Sequence, residues 1–375
     1  MQHDSLPPVQ LQAAHRYKKP GIWVQLRQWA HHHPRKAWFY GIATLLGVAA
    51  IATIIVIALL PTKTPSKLPV STLQKPAPVV YYSPLTGREV ASEAATKQAV
   101  TGIMIENSPD ARPQSGIKQA GIVYEAVAEG GITRFLALYQ EGKPGLIGPV
   151  RSVRMYYVDW VAPYNASVAH IGGSAAALAE VRNGNYRDID QFFNAPYYWR
   201  ATDRYAPHNV YTSFEKLDAL NAAKGYKEST FTAWPRKDGK PAETTTATSV
   251  AINFSGPLFN TQYTYDKSSN TYLRSIGGVD SNDREEGRIA PSVVIAMKVN
   301  MVRVLEDGYR ESIQTTGSGE AIIFQNGIAT TATWHKASRA SSIIFTGSDG
   351  KEIPLARGQT WIAAVPNGSG SVSWQ

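Results

Sequence analysis

The side chains that could do chemistry in this chain lie between Glu125 and His208. Four short motifs carry them: EGGITRF at 129–135, GPVRSVR at 148–154, HIGGS at 170–174 and RYAPHN at 204–209. Each motif combines charged or hydroxyl side chains with glycine or proline, which is typical of turns that present functional groups. We expect these segments to form one ligand-binding site, whose candidate residues are Glu129, Arg134, Arg151, Arg154, His170, Gly173, Ser174, Arg204, His208 and Asn209.

Two arginines of the second motif have a spacing that suggests joint binding. Arg151 and Arg154 are three residues apart, which predicts that both lie on one side of the start of a helix. Two guanidinium groups so placed can hold a carboxylate or a phosphate. They can equally hold Asp159 or Glu129 in a buried ion pair, and structural ion pairs are the commoner use of arginine in such a context.

The motif HIGGS indicates a strand that ends at His170, a glycine turn, and a helix that begins after Ser174. The amino end of a helix offers backbone N–H groups and a positive dipole end, so the turn is a candidate anion site. Ser174 is interpreted first as the N-cap of this helix. A nucleophilic serine is the weaker interpretation, because G-x-S-x-G is absent and three alanines follow Ser174.

The sequence leaves the roles of His170 and His208 undecided. His208 could form an acid/base pair with His170, or part of a metal site with Asp159 or Asp203. Neither arrangement has diagnostic spacing, and a histidine that only satisfies backbone groups is the commoner case. The sequence therefore assigns no catalytic residue, and we expect no metal and no cofactor.

A stretch of twenty-four residues without a charge, Ala37 to Leu60, predicts a transmembrane helix. At 1.5 Å per residue it would rise about 36 Å, enough to cross a hydrocarbon core of about 30 Å. The arm at 1–36 is basic, which places the amino end in the cytoplasm and the rest of the chain outside a single-pass cell membrane. A cleaved signal peptide is the alternative, but its apolar core is usually only about 7–15 residues long.

The remaining chain divides by composition. Residues 61–80 contain five prolines and no aromatic or acidic residue, which predicts a spacer. Strand and helix patterns mix without a strict βαβ rhythm over 81–235, which predicts an α+β domain. Strand patterns separated by glycine turns fill 249–375, which predicts a smaller β-rich domain, a sandwich or barrel packed on the first.

The net charge of +9 does not indicate nucleic-acid binding. Most of it lies in the arm and the spacer, because the chain from Tyr81 onward has 29 basic and 28 acidic residues. We expect no nucleic-acid partner for the folded part. The chain has no cysteine, which excludes disulfides, thiol catalysis and a lipidated cysteine within this sequence.

In order and spacing, ARPQSG at 111–116, IVYEAVAEGGITRF, IGPVRSVR, HIGGS and RYAPHN resemble the amino-terminal domain of the YerB-like bacterial cell-envelope lipoproteins. TWHK at 333–336 and GQTWIAAVP at 358–366 resemble the carboxy-terminal domain of the same family. The resemblance covers nearly everything after Tyr81 and implies a two-domain extracytoplasmic body of unknown role, with no catalytic residue to carry over. Members of the family typically attach through a lipidated cysteine, which this chain lacks.

Three hypotheses follow for the function. The leading one is a membrane-anchored envelope protein, held in the bilayer by 37–60, whose first domain binds a polar or anionic ligand such as cell-wall glycan or peptide. The second is a hydrolase or transferase acting on the wall or on a phosphorylated polymer, with His170 or His208 as general base. The third is a scaffold that binds other envelope proteins through the second domain. Five aromatic residues could stack on sugars, although core packing is the commoner role: Tyr156, Tyr157, Tyr197, Tyr198 and Trp199.

Overall fold

The computed structural model describes residues 21–59, 79–303 and 310–375 of the chain. The chain forms two compact units, Met1–Ala77 and Pro78–Gln375, and the second is called the body below. The first twenty residues of the predicted arm, and the predicted spacer up to residue 78, lie outside the described residues.

The first unit contains the predicted membrane helix. A short helix at Ile22–His32 precedes a helix of 26 residues at Pro34–Leu59. An 18-residue window of the longer helix has a mean hydropathy of 2.8, and none of that window is buried inside the protein. Its length and composition are sufficient to cross a membrane. The helix begins three residues before the predicted span, at Pro34, because proline fits the first helical position without losing a hydrogen bond.

The body is built on a mixed sheet of ten described strands, called the main sheet. The central strand Thr360–Pro366 runs parallel to both of its neighbours, Val293–Val299 and Ile122–Glu129. Segments 81–235 and 249–375 therefore share one continuous sheet. From edge to edge its strands are Ile344–Thr346, Ile328–Lys336, Gly317–Gln325, Val293–Val299, Thr360–Pro366, Ile122–Glu129, Ile132–Tyr139, Thr101–Glu106, Ser167–His170 and Arg187–Asp190.

Both faces of the main sheet are covered. Along Ile122–Glu129, Tyr124 and Ala126 pack into a core on one face, and Val123 and Val127 pack into a core on the other. Alternate side chains point to opposite faces of a strand, so a central strand of this kind must be apolar at nearly every position.

Helices cover the first face of the main sheet near the candidate motifs. The helix Met155–Val161 places Trp160 in this core, where its ring stacks on Tyr124 with 5.4 Å between ring centroids. The helix Ala175–Asn183 adds Ala177 and Val181 to the same core. These two helices begin at the ends of the GPVRSVR and HIGGS motifs, so the core fixes the positions of both motifs.

A second sheet of five described antiparallel strands covers part of the other face and is called the small sheet. Its Ile252 and Tyr263 share a core with Val294 and Trp361 of the main sheet. The helix Phe214–Ala223 packs into the same core. The strands of the small sheet are Val279–Asp280, Thr271–Ile276, Thr261–Asp266, Ser249–Asn253 and Ser371–Trp374.

Short elements complete the body. A short α-helix spans Glu93–Thr96, and 3-10 helices of three residues each lie at Pro109–Ala111, Ile117–Gln119, Ala162–Tyr164, Ala195–Tyr197 and Pro257–Phe259. Five two-stranded ladders are Tyr81–Tyr82 with Glu89–Val90, Trp199–Arg200 with Val210–Tyr211, Arg236–Lys237 with Leu355–Ala356, Asn282–Asp283 with Gly287–Arg288, and Met301–Arg303 with Glu311–Ile313.

A buried ion pair joins the two segments of the body. Arg274 of the small sheet donates from Nη2 to both oxygens of Glu125 in the main sheet, at 3.0 and 2.9 Å. Trp361 Nε1 donates to the same carboxylate at 2.9 Å, and the Thr133 hydroxyl donates at 3.0 Å. Both charges are almost fully buried, so each depends on the other for compensation.

The predicted α+β fold with a β-rich carboxy-terminal region is confirmed. The small sheet does pack on another sheet, as a sandwich requires. The prediction differs from the structure in one respect. The strands at 293–366 do not form a separate sandwich or barrel but extend the main sheet, to which the first segment also contributes strands. Such pairing leaves no open edge between the two segments.

Candidate functional site

Five strands of the main sheet end or begin at one edge, called the site edge. Thr101–Glu106, Ser167–His170 and Arg187–Asp190 are mutually parallel, so their carboxyl ends lie together. Ile122–Glu129 also ends there, and its antiparallel neighbour Ile132–Tyr139 begins there. Polar residues lie at this end of the strands, and the site edge carries Glu106, Glu129, Arg134, His170 and Asp190.

The GPVRSVR motif crosses the site edge as extended chain. The Arg151 N–H donates to the Met104 carbonyl at 2.9 Å, and the Val153 N–H donates to the Gly172 carbonyl at 3.0 Å. These bonds hold the motif between the ends of two parallel strands. The helix begins only at Met155.

Arg151 and Arg154 therefore contact different carboxylates. Arg151 Nε lies 3.4 Å from Glu106 Oε1, whereas Arg154 Nη2 lies 2.7 Å from Glu129 Oε2. The prediction that both arginines stand on one side of a helix start is wrong, because the residues that carry them are extended. The alternative, that Glu129 holds one of them in an ion pair, is confirmed for Arg154.

Glu129 is the centre of a compact charged group. Arg134 Nη2 donates to Glu129 Oε1 at 2.9 Å, and Arg154 donates to Oε2 from both Nε and Nη2. Burial raises the pKa of Glu129, but the two positive charges outweigh burial and leave the pKa below its ordinary value. Arg134 and Arg154 also donate to the backbone carbonyls of Ser152 and Val153. The group is thus held rigidly, with one net positive charge.

A cavity of about 320 Å³ opens beside this charged group. It lies between the starts of helices Met155–Val161 and Ala175–Asn183 and the strand Glu311–Ile313. Two basic and two acidic side chains line it: Arg154, Arg310, Asp159 and Glu311. Asp159 accepts a hydrogen bond from Thr315 at 2.7 Å and pairs with Arg339 at 2.6 Å. The cavity is therefore polar, and its charges of opposite sign balance.

Ser174 also lines this cavity. It occupies the predicted N-cap position of helix Ala175–Asn183, but its side chain accepts no capping hydrogen bond. The preceding Gly173 is required by close packing, because a Cβ there would lie 2.7 Å from Val153 Cγ1. Gly173 thus fits the helix against the GPVRSVR segment, and Ser174 presents a hydroxyl at the cavity wall.

A second group of side chains surrounds Glu106. Glu106 Oε1 accepts a hydrogen bond from Ser108 Oγ at 3.1 Å and lies 3.0 Å from His208 Nδ1. Ser108 Oγ is also 3.2 Å from His208 Nδ1. The carboxylate is only 4% exposed, and its second oxygen, Oε2, is buried without a hydrogen-bond partner among the described residues.

This arrangement is not a catalytic relay of the serine-protease type. In such a relay the nucleophile and the acid bind opposite nitrogens of the histidine. Here Ser108 and Glu106 both approach Nδ1, while Nε2 lies 4.0 Å from the exposed carboxylate of Asp110. His208 itself is partly exposed, so its Nε2 side is open to a ligand.

His170 has a structural role. It is fully buried, with Nδ1 2.8 Å from the Gly172 carbonyl oxygen and Nε2 3.0 Å from Asp188 Oδ1. Both ring nitrogens are used within the protein, so His170 has the structural role that was the favoured interpretation, and the alternative acid/base pair with His208 is not formed. The ring instead fastens the ends of two parallel strands to the glycine turn.

Arg204 and Asn209 fix the loop that carries His208. Arg204 donates to the carbonyls of Asp110 and Pro113, at 3.0 and 2.6 Å. Asn209 accepts from Arg200 at 2.8 Å and donates to backbone carbonyls of its own loop. Both side chains therefore position His208 next to Glu106, and neither faces the cavity beside Arg154.

The proposed metal partners of the histidines are engaged elsewhere. Asp203 pairs with Arg284 at 2.6 Å, and Asp159 pairs with Arg339. Within residues 21–59, 79–303 and 310–375, no group of three or more His, Asp or Glu side chains could hold a metal ion.

Sequence reasoning missed Glu106, Ser108 and the aspartates beside His170. An available signal was that Glu106 ends the apolar run TGIMIE, where a buried charge needs a reason. Most of the predicted sugar-stacking aromatics are core residues: the hydroxyls of Tyr156 and Tyr157 donate to main-sheet carbonyls. Trp199, in contrast, is only half buried.

Comparison with known proteins identifies the family to which the chain belongs. The family pattern described as "Protein of unknown function (DUF3048) N-terminal domain" matches residues 85–227, and the corresponding C-terminal domain matches 250–362. The protein described as "Putative lipoprotein YerB" of Bacillus subtilis (strain 168) is 33% identical over 290 residues, which cover 76% of this chain and 86% of that protein. A crystal structure of the YerB protein from Bacillus subtilis matches with a TM-score of 0.70 and 31% identity, covering 78% of this chain and 99% of that chain. The resemblance seen in the motifs is confirmed, and this chain belongs to the two-domain YerB-like family of unknown function.

Proposed function

We propose that this protein is tethered to the cell membrane by Pro34–Leu59 and that its body, outside the membrane, binds a polar ligand of mixed charge. The ligand class that fits is a short peptide carrying both amino and carboxylate groups, such as the peptide part of a cell-wall fragment. The observation that carries the proposal is the cavity of about 320 Å³, which is lined by two basic and two acidic side chains and by Ser174, whose side chain makes no capping hydrogen bond.

The tether is supported by the apolar helix and by the relative described as a lipoprotein. The lipid of a bacterial lipoprotein is attached to a cysteine, and this chain has none. The helix thus serves in place of the lipid. Arg35 and Lys36 stand at its amino end, where the positive-inside rule places the cytoplasm.

The charges of the cavity favour a ligand with both signs over a polyanion. Arg154 and Arg310 attract carboxylates, but Asp159 and Glu311 in the same wall repel them. A zwitterionic peptide satisfies both sets, whereas a phosphorylated polymer does not. The volume suits a few amino-acid residues, being at the lower end of the range of small-molecule sites, about 300–1,000 Å³.

Isothermal titration calorimetry with the tripeptide L-alanyl-γ-D-glutamyl-L-lysine tests this proposal. We expect this peptide to bind. The same peptide with blocked amino and carboxylate groups should bind at least about tenfold more weakly, because a loss of about 1.4 kcal/mol in binding free energy lowers the affinity tenfold.

Filling the cavity should abolish this binding. Ala176 lines the cavity and is exposed in the first turn of its helix, so Ala176→Phe adds bulk there without removing a contact. The matched control is Ala219→Phe, the same change at an exposed alanine of helix Phe214–Ala223. Equal affinities of these two variants, or equal affinities of the charged and blocked peptides, would show that the cavity is not the binding site.

Catalysis at His208 is a second candidate function, and one observation favours it. Glu106 Oε2 is buried without a partner beside a histidine whose Nε2 is open to solvent. A carboxylate in contact with a ring nitrogen can orient the ring and stabilise its protonated form during proton transfer. We expect the parent protein to hydrolyse isolated cell-wall material. His208→Gln should lose this activity and the control His335→Gln should keep it, whereas no turnover by the parent would reject a catalytic role.

A further inference from the structure

A second cleft lies away from the cavity beside Arg154. It has a volume of about 450 Å³ and lies between the ladder Trp199–Arg200 with Val210–Tyr211 and the turn that contains Arg284 and Glu285. The first element belongs to the amino-terminal segment of the body and the second to the carboxy-terminal segment. Clefts between segments are common places for ligand sites.

Two aromatic rings form one wall of this cleft. Trp199 and Tyr211 are directly opposite each other in the antiparallel ladder, so their side chains project from the same face. Both line the cleft. The Trp199 side chain is half buried and Tyr211 is 1% exposed, so the tyrosine forms the floor and the tryptophan the rim.

The floor contains a polar atom that a ligand can reach. The Tyr211 hydroxyl is buried and makes no well-aligned hydrogen bond with any described residue, although the Arg284 guanidinium lies close to it. Burial raises the pKa of this phenol, so it is present as a neutral O–H group that can both donate and accept. A buried hydroxyl left without a partner is unfavourable, and a ligand hydroxyl would satisfy it.

The charges at the rim are already compensated. Arg284 Nη2 lies 2.6 Å from Asp203 Oδ2, and Arg200 donates to the Asn209 side chain at 2.8 Å. Glu285 Oε1 accepts from Ser115 Oγ at 3.1 Å. Two basic and two acidic residues of the cleft give no net charge, which disfavours phosphates and other anions. Paired donors and acceptors instead suit a neutral ligand with many hydroxyl groups.

We propose that this cleft is a carbohydrate-binding site for a neutral glycan. A pyranose ring has a face of C–H groups that packs on an aromatic ring, and a rim of hydroxyls that hydrogen-bonds to charged pairs and to a phenol. Trp199 provides the ring face, Tyr211 the phenol, and the Arg284–Asp203 pair the rim contacts. The site is independent of the peptide cavity, because the two share no lining residue.

The test measures binding of a soluble β-1,4-linked tetramer of N-acetylglucosamine to the full-length protein in detergent micelles, by isothermal titration calorimetry. We expect the parent to bind, and Trp199→Ala to lose at least about tenfold in affinity, as for aromatic anchors of other interfaces. Arg284→Gln should lose a few-fold. The control Phe193→Ala removes another exposed aromatic ring outside the cleft and should leave the affinity unchanged.

Tyr211→Phe separates binding from folding. It removes a hydroxyl that makes no well-aligned hydrogen bond with the protein, so the melting temperature should change little while the affinity for the tetramer falls. The cavity-filling variant Ala176→Phe should bind the tetramer normally, which distinguishes this site from the peptide cavity. The proposal is overturned if the parent does not bind the tetramer at about 5 mM, a concentration at which even a millimolar affinity is detected. It is also overturned if Trp199→Ala and Phe193→Ala weaken binding equally.

Discussion

Removing the buried charge of Arg274 should destabilise the whole body. Arg274 is 2% exposed and Glu125 is fully buried, so Arg274→Met leaves a carboxylate without its counter-charge. Such a loss costs about 3–5 kcal/mol. Trp361 and Thr133 still donate to Glu125 in the variant, at 2.9 and 3.0 Å, so we expect a value near the lower limit, about 3 kcal/mol.

The measurement is guanidinium chloride unfolding of the compact unit from Pro78 onward, followed by tryptophan fluorescence. A loss of about 3 kcal/mol corresponds to a decrease of about 5 °C in melting temperature for a unit of about 300 residues, because the unfolding entropy is about 2.1 cal/mol/K per residue. Because Arg274 and Glu125 come from different segments, the transition should remain single, with both segments losing stability together.

Two further variants show whether the ion pair is the cause. The double variant Glu125→Gln with Arg274→Met removes both charges and should recover at least half of the lost stability. The control Arg288→Met removes an arginine paired with the exposed Asp280 and should cost less than about 1 kcal/mol. If Arg274→Met costs no more than this control, or if the double variant is no more stable than the single one, the buried pair does not hold the segments together.

Three other changes have definite expected outcomes. Gly148→Ala should cost about 1–3 kcal/mol in the same unfolding assay, since a Cβ there would lie 2.8 Å from the Tyr211 ring; a neutral result would contradict the close packing. Lys336→Met should cost at least about 2 kcal/mol, because the buried ammonium donates to three loop carbonyls that the variant leaves unpaired; a cost below about 0.5 kcal/mol would show that these bonds do not matter. Glu129 has a folded-state pKa below its ordinary value of 4.5, so the stabilisation it provides is present above pH 4.5 and is lost as the pH falls through the lower folded-state pKa; Glu129→Gln should be less stable than the parent at pH 7, and the difference should shrink below pH 4.5.

Features that depend on consecutive residues could be predicted from the sequence. The apolar run before Leu60 forms a helix because its length and composition favour that state regardless of the rest of the chain. The glycine turn after His170 and the helix after Ser174 also follow from local chemistry. The family resemblance rested on the same short motifs.

Most partners of the charged side chains could not be predicted, although Glu129 was named as a possible partner of Arg154. Arg151 and Arg154 were predicted to lie on one side of a helix start because they are three residues apart, a spacing that has this meaning only in a helix. The chain is extended there, held by hydrogen bonds to Met104 and Gly172, and the two side chains reach different carboxylates. Spacing in sequence thus indicates shared binding only once the backbone conformation is known.

The contrast between His170 and His208 has a similar cause. Both histidines lie in polar motifs, and the sequence gives no reason to separate them. His170 ends a strand covered on both sides, so the aspartates of the next strand and the glycine turn use both of its nitrogens. His208 lies in a loop at the protein surface and keeps one nitrogen open. Burial decided which histidine can meet a ligand.

The sequence by itself determined the long apolar helix, the absence of cysteine chemistry, the near-neutral body and the family, because each depends on composition or on residues adjacent in the chain. The tertiary structure alone decided that Thr360–Pro366 pairs with Ile122–Glu129, which joins the two segments in one sheet. It also decided which arginines are neutralised and where the two clefts open. Many apolar strands compete for such long-range pairing, and the outcome depends on packing of the whole core, which no short stretch of sequence contains.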